Sequence, residues 1–162
     1  MSQVTFFLRF PITALDGLRM AAARPKKRLF GSAKDTYWSY LREHGKPVGN
    51  FRWSGSVMAV LTDYVKEKLD VDLDKSEYEE LAAFMIRERK TYHAILTAAQ
   101  RAAYYDRLDP VRFAESELRD YCNEFYGTDD AAVGRGMLDG LVALREALSQ
   151  TDQESVIVFM IG

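Results

Sequence analysis

The two histidines, His44 and His93, are the side chains of this sequence whose ordinary pKa lies closest to neutral pH. Neither has a second His or a Cys at the spacing that zinc sites use, so no zinc site of the HExxH or CxxC kind is predicted. The pattern around His93 predicts a position on a long helix. We assign it no catalytic role.

Three aspartates at alternate positions, Asp70, Asp72 and Asp74, resemble the opening of a calcium-binding loop. Such a loop needs a glycine at its sixth position and a glutamate at its twelfth, where this sequence has Lys75 and Leu81. We therefore interpret Asp74 as the N-cap of a helix and the other two as solvated turn residues.

The motifs for phosphate binding and nucleophilic catalysis are also incomplete. Gly134, Gly136 and Gly140 follow no predicted strand and end in no Lys-Ser/Thr pair, so close packing of neighbouring elements explains them better than a phosphate loop. Gly55 lacks the flanking glycines of a hydrolase nucleophile elbow. Cys122 lies on the apolar face of a predicted helix, where a free cysteine packs as a small buried side chain. The sequence therefore predicts no catalytic residue, no metal site and no cofactor.

A basic loop at residues 24–28 is of the type that contacts phosphate groups. Its cations are Arg24, Lys26, Lys27 and Arg28. The formal net charge of the chain is -2, which gives no general attraction to nucleic acid, so we prefer a solvated loop and keep nucleic-acid binding as an alternative. A second charged run, at residues 87–90, is predicted to be the exposed face of the long helix.

Aromatic side chains within residues 37–53 bracket a loop that is punctuated by Gly and Pro. The set comprises Tyr37, Trp38, Tyr40, Phe51 and Trp53, with Arg42 and Arg52 among them. Trp, Tyr and Arg anchor many protein interfaces, although a single aromatic fills the core at least as often. Alternation along an extended chain places Phe51 and Trp53 on one face and Arg52 on the other. We predict a partner-binding surface here, with Trp53 and Arg52 as the first candidates and Trp38 as a weaker one.

The elements that must position these residues are strands at the ends of the sequence and helices between them. Residues 4–10 and 155–161 are apolar and rich in β-branched side chains, and the second run is apolar on both faces, as in a strand buried from both sides. We expect these two strands to pair. Apolar spacing, capping residues and glycine stops predict the helices. Their ranges are 35–43, 54–69, 74–99 as one long helix or two in series, 109–127, and 129–148.

Composition places the chain among ordinary folded proteins. Its 162 residues are 48% hydrophobic and 28% charged, which predicts a single domain over residues 1–162. The lone Cys122 suits a reducing compartment, and the sequence has no basic leader and no run of about twenty apolar residues, so we expect a cytoplasmic protein with no membrane segment. The predicted fold class is α+β: a mostly helical single domain with a small sheet that contains the N- and C-terminal strands.

The stretch FRWSGSVMAVLTDYVKEKLDVDL, residues 51–73, combines an aromatic-Ser-Gly helix start, a short amphipathic helix and a terminal Asp-Leu. It resembles segments of small bacterial immunity proteins, which neutralise polymorphic or secreted toxins. The class has no diagnostic motif, so no site residues carry over by position. The resemblance implies a non-enzymatic cytoplasmic protein that binds one cognate toxin domain and blocks its active site.

Three functions therefore remain open. The binding protein is preferred because no catalytic motif is complete; an enzyme with an unrecognised Glu/Arg/Tyr active site is the second, and a nucleic-acid-binding regulator that uses the basic loop is the third. A deep polar pocket with carboxylates of perturbed pKa favours the enzyme. A broad exposed patch of aromatics flanked by charge favours the binding protein.

Overall fold

The computed structural model describes residues 3–25 and 33–162. Within these ranges the chain forms seven α-helices and four strands. The strands are β1 (Thr5–Pro11), β2 (Lys46–Pro47), β3 (Tyr92–Leu96) and β4 (Ser155–Ile161). The helices are α1 (Leu15–Ala22), α2 (Tyr37–His44), α3 (Gly55–Leu69), α4 (Glu79–Arg89), α5 (Ala98–Tyr104), α6 (Glu115–Tyr126) and α7 (Val133–Ser149).

The four strands form one antiparallel sheet in the order β2-β1-β4-β3. β1 pairs with β4 over its whole length, from Thr5 opposite Ile161 to Pro11 opposite Ser155. β4 is therefore a central strand, and residues 156–161 are all buried, as its apolar sequence on both faces requires. The predicted pairing of these two strands is confirmed.

Helices cover both faces of the sheet because strand side chains alternate between them. On one face Phe7 of β1 and Phe159 of β4 stack with ring centroids 4.7 Å apart and pack with α3, α6 and α7. On the other face Phe10 and Met160 pack with α1, α2 and α4. This arrangement confirms the predicted α+β class, in which a small sheet packs against four or more helices.

The predicted long helix over residues 74–99 is wrong. α4 ends at Arg89, Lys90 takes a left-handed conformation with φ of 61°, and β3 follows at the edge of the sheet. The apolar residues of this segment match helical spacing, but residues 93–96 are all buried, which one face of a surface helix does not allow. His93 therefore lies on a strand. Asp74 does not cap a helix either, since α4 begins at Glu79 and its N-cap residue makes no side-chain capping bond.

The other predicted helices are present with changed boundaries. Ser54 caps α3 by accepting a hydrogen bond from the backbone N–H of Ser56, as predicted. The predicted helix over 109–127 is divided, because a single 3-10 turn at Pro110–Arg112 and an extended stretch precede α6, whose C-cap is Gly127. The apolar spacing of the predicted helices also places four side chains on buried faces that are exposed in the structure: Val111, Ala114, Phe125 and Val142.

The three glycines of α7 allow close packing, as the sequence predicted. A Cβ on Gly134 would collide with the backbone oxygen of Glu115, and one on Gly136 would lie 2.8 Å from the Trp53 ring. A Cβ on Gly140 would lie 2.6 Å from the Leu61 side chain. The helix therefore accepts the cost of about 1 kcal/mol per glycine because its neighbours lie against its backbone.

Two further expectations concern membranes and thiols. Of the helices within residues 3–25 and 33–162, none has both the length and the apolar character needed to cross a membrane. Cys122 is buried on α6 and burial raises the pKa of its thiol, so it packs as an unreactive side chain, as predicted.

Candidate functional site

An exposed aromatic and apolar groove lies between α2 and the β1–β2 edge. Trp38 on α2 is 54% exposed and Phe6 on β1 is 40% exposed, and both line it. The groove, which we call the Trp38 groove, has a volume of about 370 Å³. Leu8, Pro47 and Met160 complete its sheet side, and Leu41, Arg42 and Gly45 complete its helix side.

Periodicity explains how these residues meet. Phe6 and Leu8 are two apart on β1 and therefore point to the same face of the sheet. Trp38 and Arg42 are four apart on α2 and therefore lie on the same side of the helix. The groove is mostly apolar, and an exposed apolar surface of this kind marks an interaction site more often than a scattered hydrophobic residue does.

α2 is held in place by Tyr37, which precedes Trp38 and is only 1% exposed. The Oη of Tyr37 lies 2.6 Å from Nε2 of His93 on β3, and Nδ1 of His93 lies 2.9 Å from the carbonyl oxygen of Thr91. A carbonyl oxygen only accepts, so Nδ1 carries the ring proton and Nε2 accepts from the Tyr37 hydroxyl. This buried bond ties α2 to the sheet.

A second contact comes from Arg89 at the end of α4. Its guanidinium carbon lies 4.2 Å from the centroid of the Tyr37 ring, and its Nη2 donates to Oδ2 of Asp35 at 2.6 Å. The hydrogen bond from Arg89 is the main reason why the pKa of Asp35 is lowered. Asp35 in turn accepts a hydrogen bond from the backbone N–H of Tyr37 at 3.0 Å. The Arg89 side chain is only 11% exposed, so its predicted place on a solvated face is wrong.

The buried histidine makes the stability of the fold depend on pH. Burial is the largest cause that lowers the pKa of His93, and the charge of Arg89 adds to it. The unfolded chain therefore takes up this proton first, and we expect the free energy of unfolding to fall as pH drops below about 6.5, the ordinary histidine value. Above that pH the contribution is fully present. Urea unfolding at several pH values measures the effect.

A His93→Gln variant is the control for this pH dependence, since glutamine does not titrate. We expect it to be less stable than the parent at neutral pH and to lose the slope between about pH 6.5 and 5, above the range in which carboxylates titrate. Equal slopes for the two proteins in that range would contradict the assignment.

The first two predicted anchors, Arg52 and Trp53, lie in a different place from Trp38. They line a small pocket of about 160 Å³ together with Asn50, Asp139 and Val142. Trp53 is half-buried and packs against α7, and its Nε1–H donates to Oδ2 of Asp139 at 3.0 Å. Arg52 is exposed. The two neighbouring side chains therefore differ in burial as the predicted alternation requires: Trp53 faces the core and Arg52 faces solvent.

A polar cleft of about 440 Å³ lies beside α3 and β3, and the sequence did not predict it. Tyr92 donates to Asp74 at 2.8 Å, and Nζ of Lys66 lies 3.2 Å from Asp72 and 3.4 Å from Asp74. Burial raises the pKa of Asp63, which also lines the cleft. Most of these polar groups are therefore occupied by one another.

Calcium binding finds no support in this cleft. Asp70 is the C-cap of α3 in a left-handed conformation, and Asp72 and Asp74 are bound to Lys66. Across residues 3–25 and 33–162, no three His, Cys, Asp or Glu side chains are grouped to hold a metal ion.

The basic loop is only partly within the structure. Lys26, Lys27 and Arg28 lie outside the described residues. Arg24 is bound to α4, because its backbone N–H donates to a carboxylate oxygen of Glu88 at 3.0 Å and its guanidinium donates to the Glu88 carbonyl. Nucleic-acid binding by this loop stays a prediction.

Comparisons with protein-family models, with curated proteins and with solved structures found no match to this chain. The resemblance of residues 51–73 to immunity proteins therefore stays a prediction.

Proposed function

We propose that this chain is a non-enzymatic cytoplasmic binding protein, and that it acts as an immunity protein by binding and occluding a cognate bacterial toxin domain. The observation that supports binding best is the Trp38 groove, whose lining includes two large exposed apolar side chains, Trp38 and Phe6. Tryptophan is one of the residue types enriched among the side chains that contribute most to binding energy in protein interfaces. The toxin as partner rests on the resemblance of residues 51–73.

The rigidity of the groove also supports this function. Its helix wall is held by the bond between Tyr37 and His93 and by the contact between Arg89 and Asp35. A surface that is ordered before binding loses little conformational entropy when the partner arrives, so more of the contact energy appears as affinity.

If the chain is an enzyme, its active site would lie in the polar cleft, and the raised pKa of Asp63 is the observation that favours this alternative. Binding is preferred because Lys66, Asp74 and Tyr92, which would be its chemical groups, are engaged with one another or with Asp72. Asp63 keeps much of its surface in solvent, so only the buried part of the side chain raises its pKa.

A Trp38→Ala variant tests the proposed surface. We expect it to weaken partner binding by about 2 kcal/mol or more, near thirtyfold in affinity, because a hot-spot side chain is removed. The melting temperature is expected to change little, since the side chain is 54% exposed. The measurement is capture of partners from the native cell on the immobilised protein, followed by titration of the identified partner.

The matched control is Phe125→Ala, which removes an aromatic side chain that is 55% exposed on α6. It is expected to leave binding unchanged.

The pocket that Arg52 and Trp53 line is tested by Arg52→Ala, whose side chain is exposed. Trp53→Ala is a less direct test, because Trp53 packs on Gly136 and its removal is expected to lower stability as well. If the partner is a toxin domain, one equivalent of the parent protein will abolish its activity. Full retention of the partner by both Trp38→Ala and Arg52→Ala, each with normal melting, would exclude both surfaces and favour the enzyme.

A further inference from the structure

We infer that the occupant of the Trp38 groove is a partner segment that inserts apolar side chains between Phe6 and Trp38 and places a carboxylate beside Arg42. This inference rests on the proposed function and specifies the chemistry of the partner. Three observations support the inference: the positive charge of Arg42 on the groove wall, the short edge strand β2, and the like charges that a twofold contact between two copies would bring together.

Arg42 is the only ionisable side chain among the residues that line the groove. In the part of the chain that the structure describes, it takes part in no ion pair, whereas two other cations near the groove elements do. Arg89 pairs with Asp35, and Arg9 of β1 pairs with Asp152. A ligand that covers an apolar groove also removes water from a guanidinium at its wall, and this is costly unless the ligand supplies an acceptor. A carboxylate is the acceptor that a guanidinium binds best, through two parallel hydrogen bonds.

The sheet edge next to the groove does not favour an added strand. β2 has only two residues, Lys46 and Pro47, and proline has no N–H to donate to a neighbouring strand. The occupant therefore binds through its side chains rather than by extending the sheet. Within the groove, Pro47 presents its ring beside Leu8, its partner across the strand pair.

A second copy of this chain fits the groove less well than a foreign partner. In a twofold contact the same surface meets itself, so both Arg42 side chains would approach one apolar interface in which no lining residue carries a carboxylate. Like charges placed together in this way weaken association.

The test is a selection of random linear peptides from a display library against the parent protein, Trp38→Ala and Arg42→Glu, each first checked for normal melting. Peptides selected by the parent are expected to combine aromatic or aliphatic residues with Asp or Glu and to lose binding to Trp38→Ala. Arg42→Glu is expected to weaken the same peptides about tenfold or more, and changing their acidic residue to Lys is expected to restore binding to this variant. Light scattering of the parent protein is expected to show a monomer.

The possible failures are distinct. Peptides that need Trp38 but carry no acidic residue, or bind Arg42→Glu as well as the parent, would overturn the inference and leave the proposed function standing. A selection that yields no Trp38-dependent peptide would overturn both. A dimer that dissociates in Trp38→Ala would show that a second copy occupies the groove, and would also overturn the inference.

Discussion

Removal of residues 156–162 is expected to abolish cooperative folding. β4 lies between β1 and β3, and its six buried side chains each contribute about 1.5 to 3 kcal/mol by leaving water. Their sum is comparable with the whole stability of a typical domain, about 5 to 15 kcal/mol. The truncated chain would also leave β1 without its main partner. Circular dichroism during heating, together with the soluble yield, measures the result.

Two point variants give this test a graded form. Phe159→Ala removes the ring that stacks on Phe7 and is expected to cost about 3 to 5 kcal/mol, whereas Val111→Ala, at a side chain that is 86% exposed, is expected to stay within about 0.5 kcal/mol of the parent. A truncated chain that melts cooperatively near the temperature of the parent would show that the strand is dispensable.

Tyr37→Ala is expected to have the second-largest effect, a loss of about 3 to 5 kcal/mol in the free energy of unfolding. The side chain is buried, and its removal leaves Nε2 of His93 without its hydrogen-bond donor and the guanidinium of Arg89 without the ring beneath it. Chemical denaturation measures the loss. Because α2 carries Trp38, we also expect the variant to bind the partner more weakly than the parent. This loss is expected to be larger than the decrease in the folded fraction explains.

Tyr37→Phe separates packing from hydrogen bonding at this position. Phenylalanine keeps the ring under Arg89 but leaves the acceptor of His93 buried and unsatisfied, so we expect a smaller loss of about 1 to 3 kcal/mol. If the phenylalanine variant is as stable as the parent, the hydrogen bond between Tyr37 and His93 does not hold α2.

The sheet was predictable where the sequence signal is local and unambiguous. β4 is apolar on both faces over Ser155–Ile161, and no other position than the centre of a sheet buries such a strand. β3 was missed because Tyr92, Ile95 and Leu96 satisfy helical spacing as well as a buried strand, and no glycine or proline separates them from α4. The left-handed residue that ends α4 is Lys90, an uncommon choice that the sequence does not reveal.

The candidate surface was predictable only in part, because it is assembled from distant segments. The sequence marked Trp38, but as a weaker candidate than Trp53, since nothing local shows that Trp53 donates to Asp139 on α7. Phe6 belongs to β1 and Met160 to β4, and they meet Trp38 only when the sheet has formed and α2 packs across it. The polar cleft was missed for the same reason, because Tyr92 reaches Asp74 only from a strand.

The position of β4 in the sheet also has a consequence for synthesis on the ribosome. Strand β1 is made well before its main partner β4, since Thr5 pairs with Ile161. Until that segment has left the exit tunnel, β1 and the helices that cover it have no completed sheet to pack on. Contacts between such distant residues slow folding and leave apolar segments open to wrong associations in the meantime. The nascent chain is therefore expected to need chaperones between the synthesis of β1 and that of β4, and to complete its sheet only after β4 has emerged.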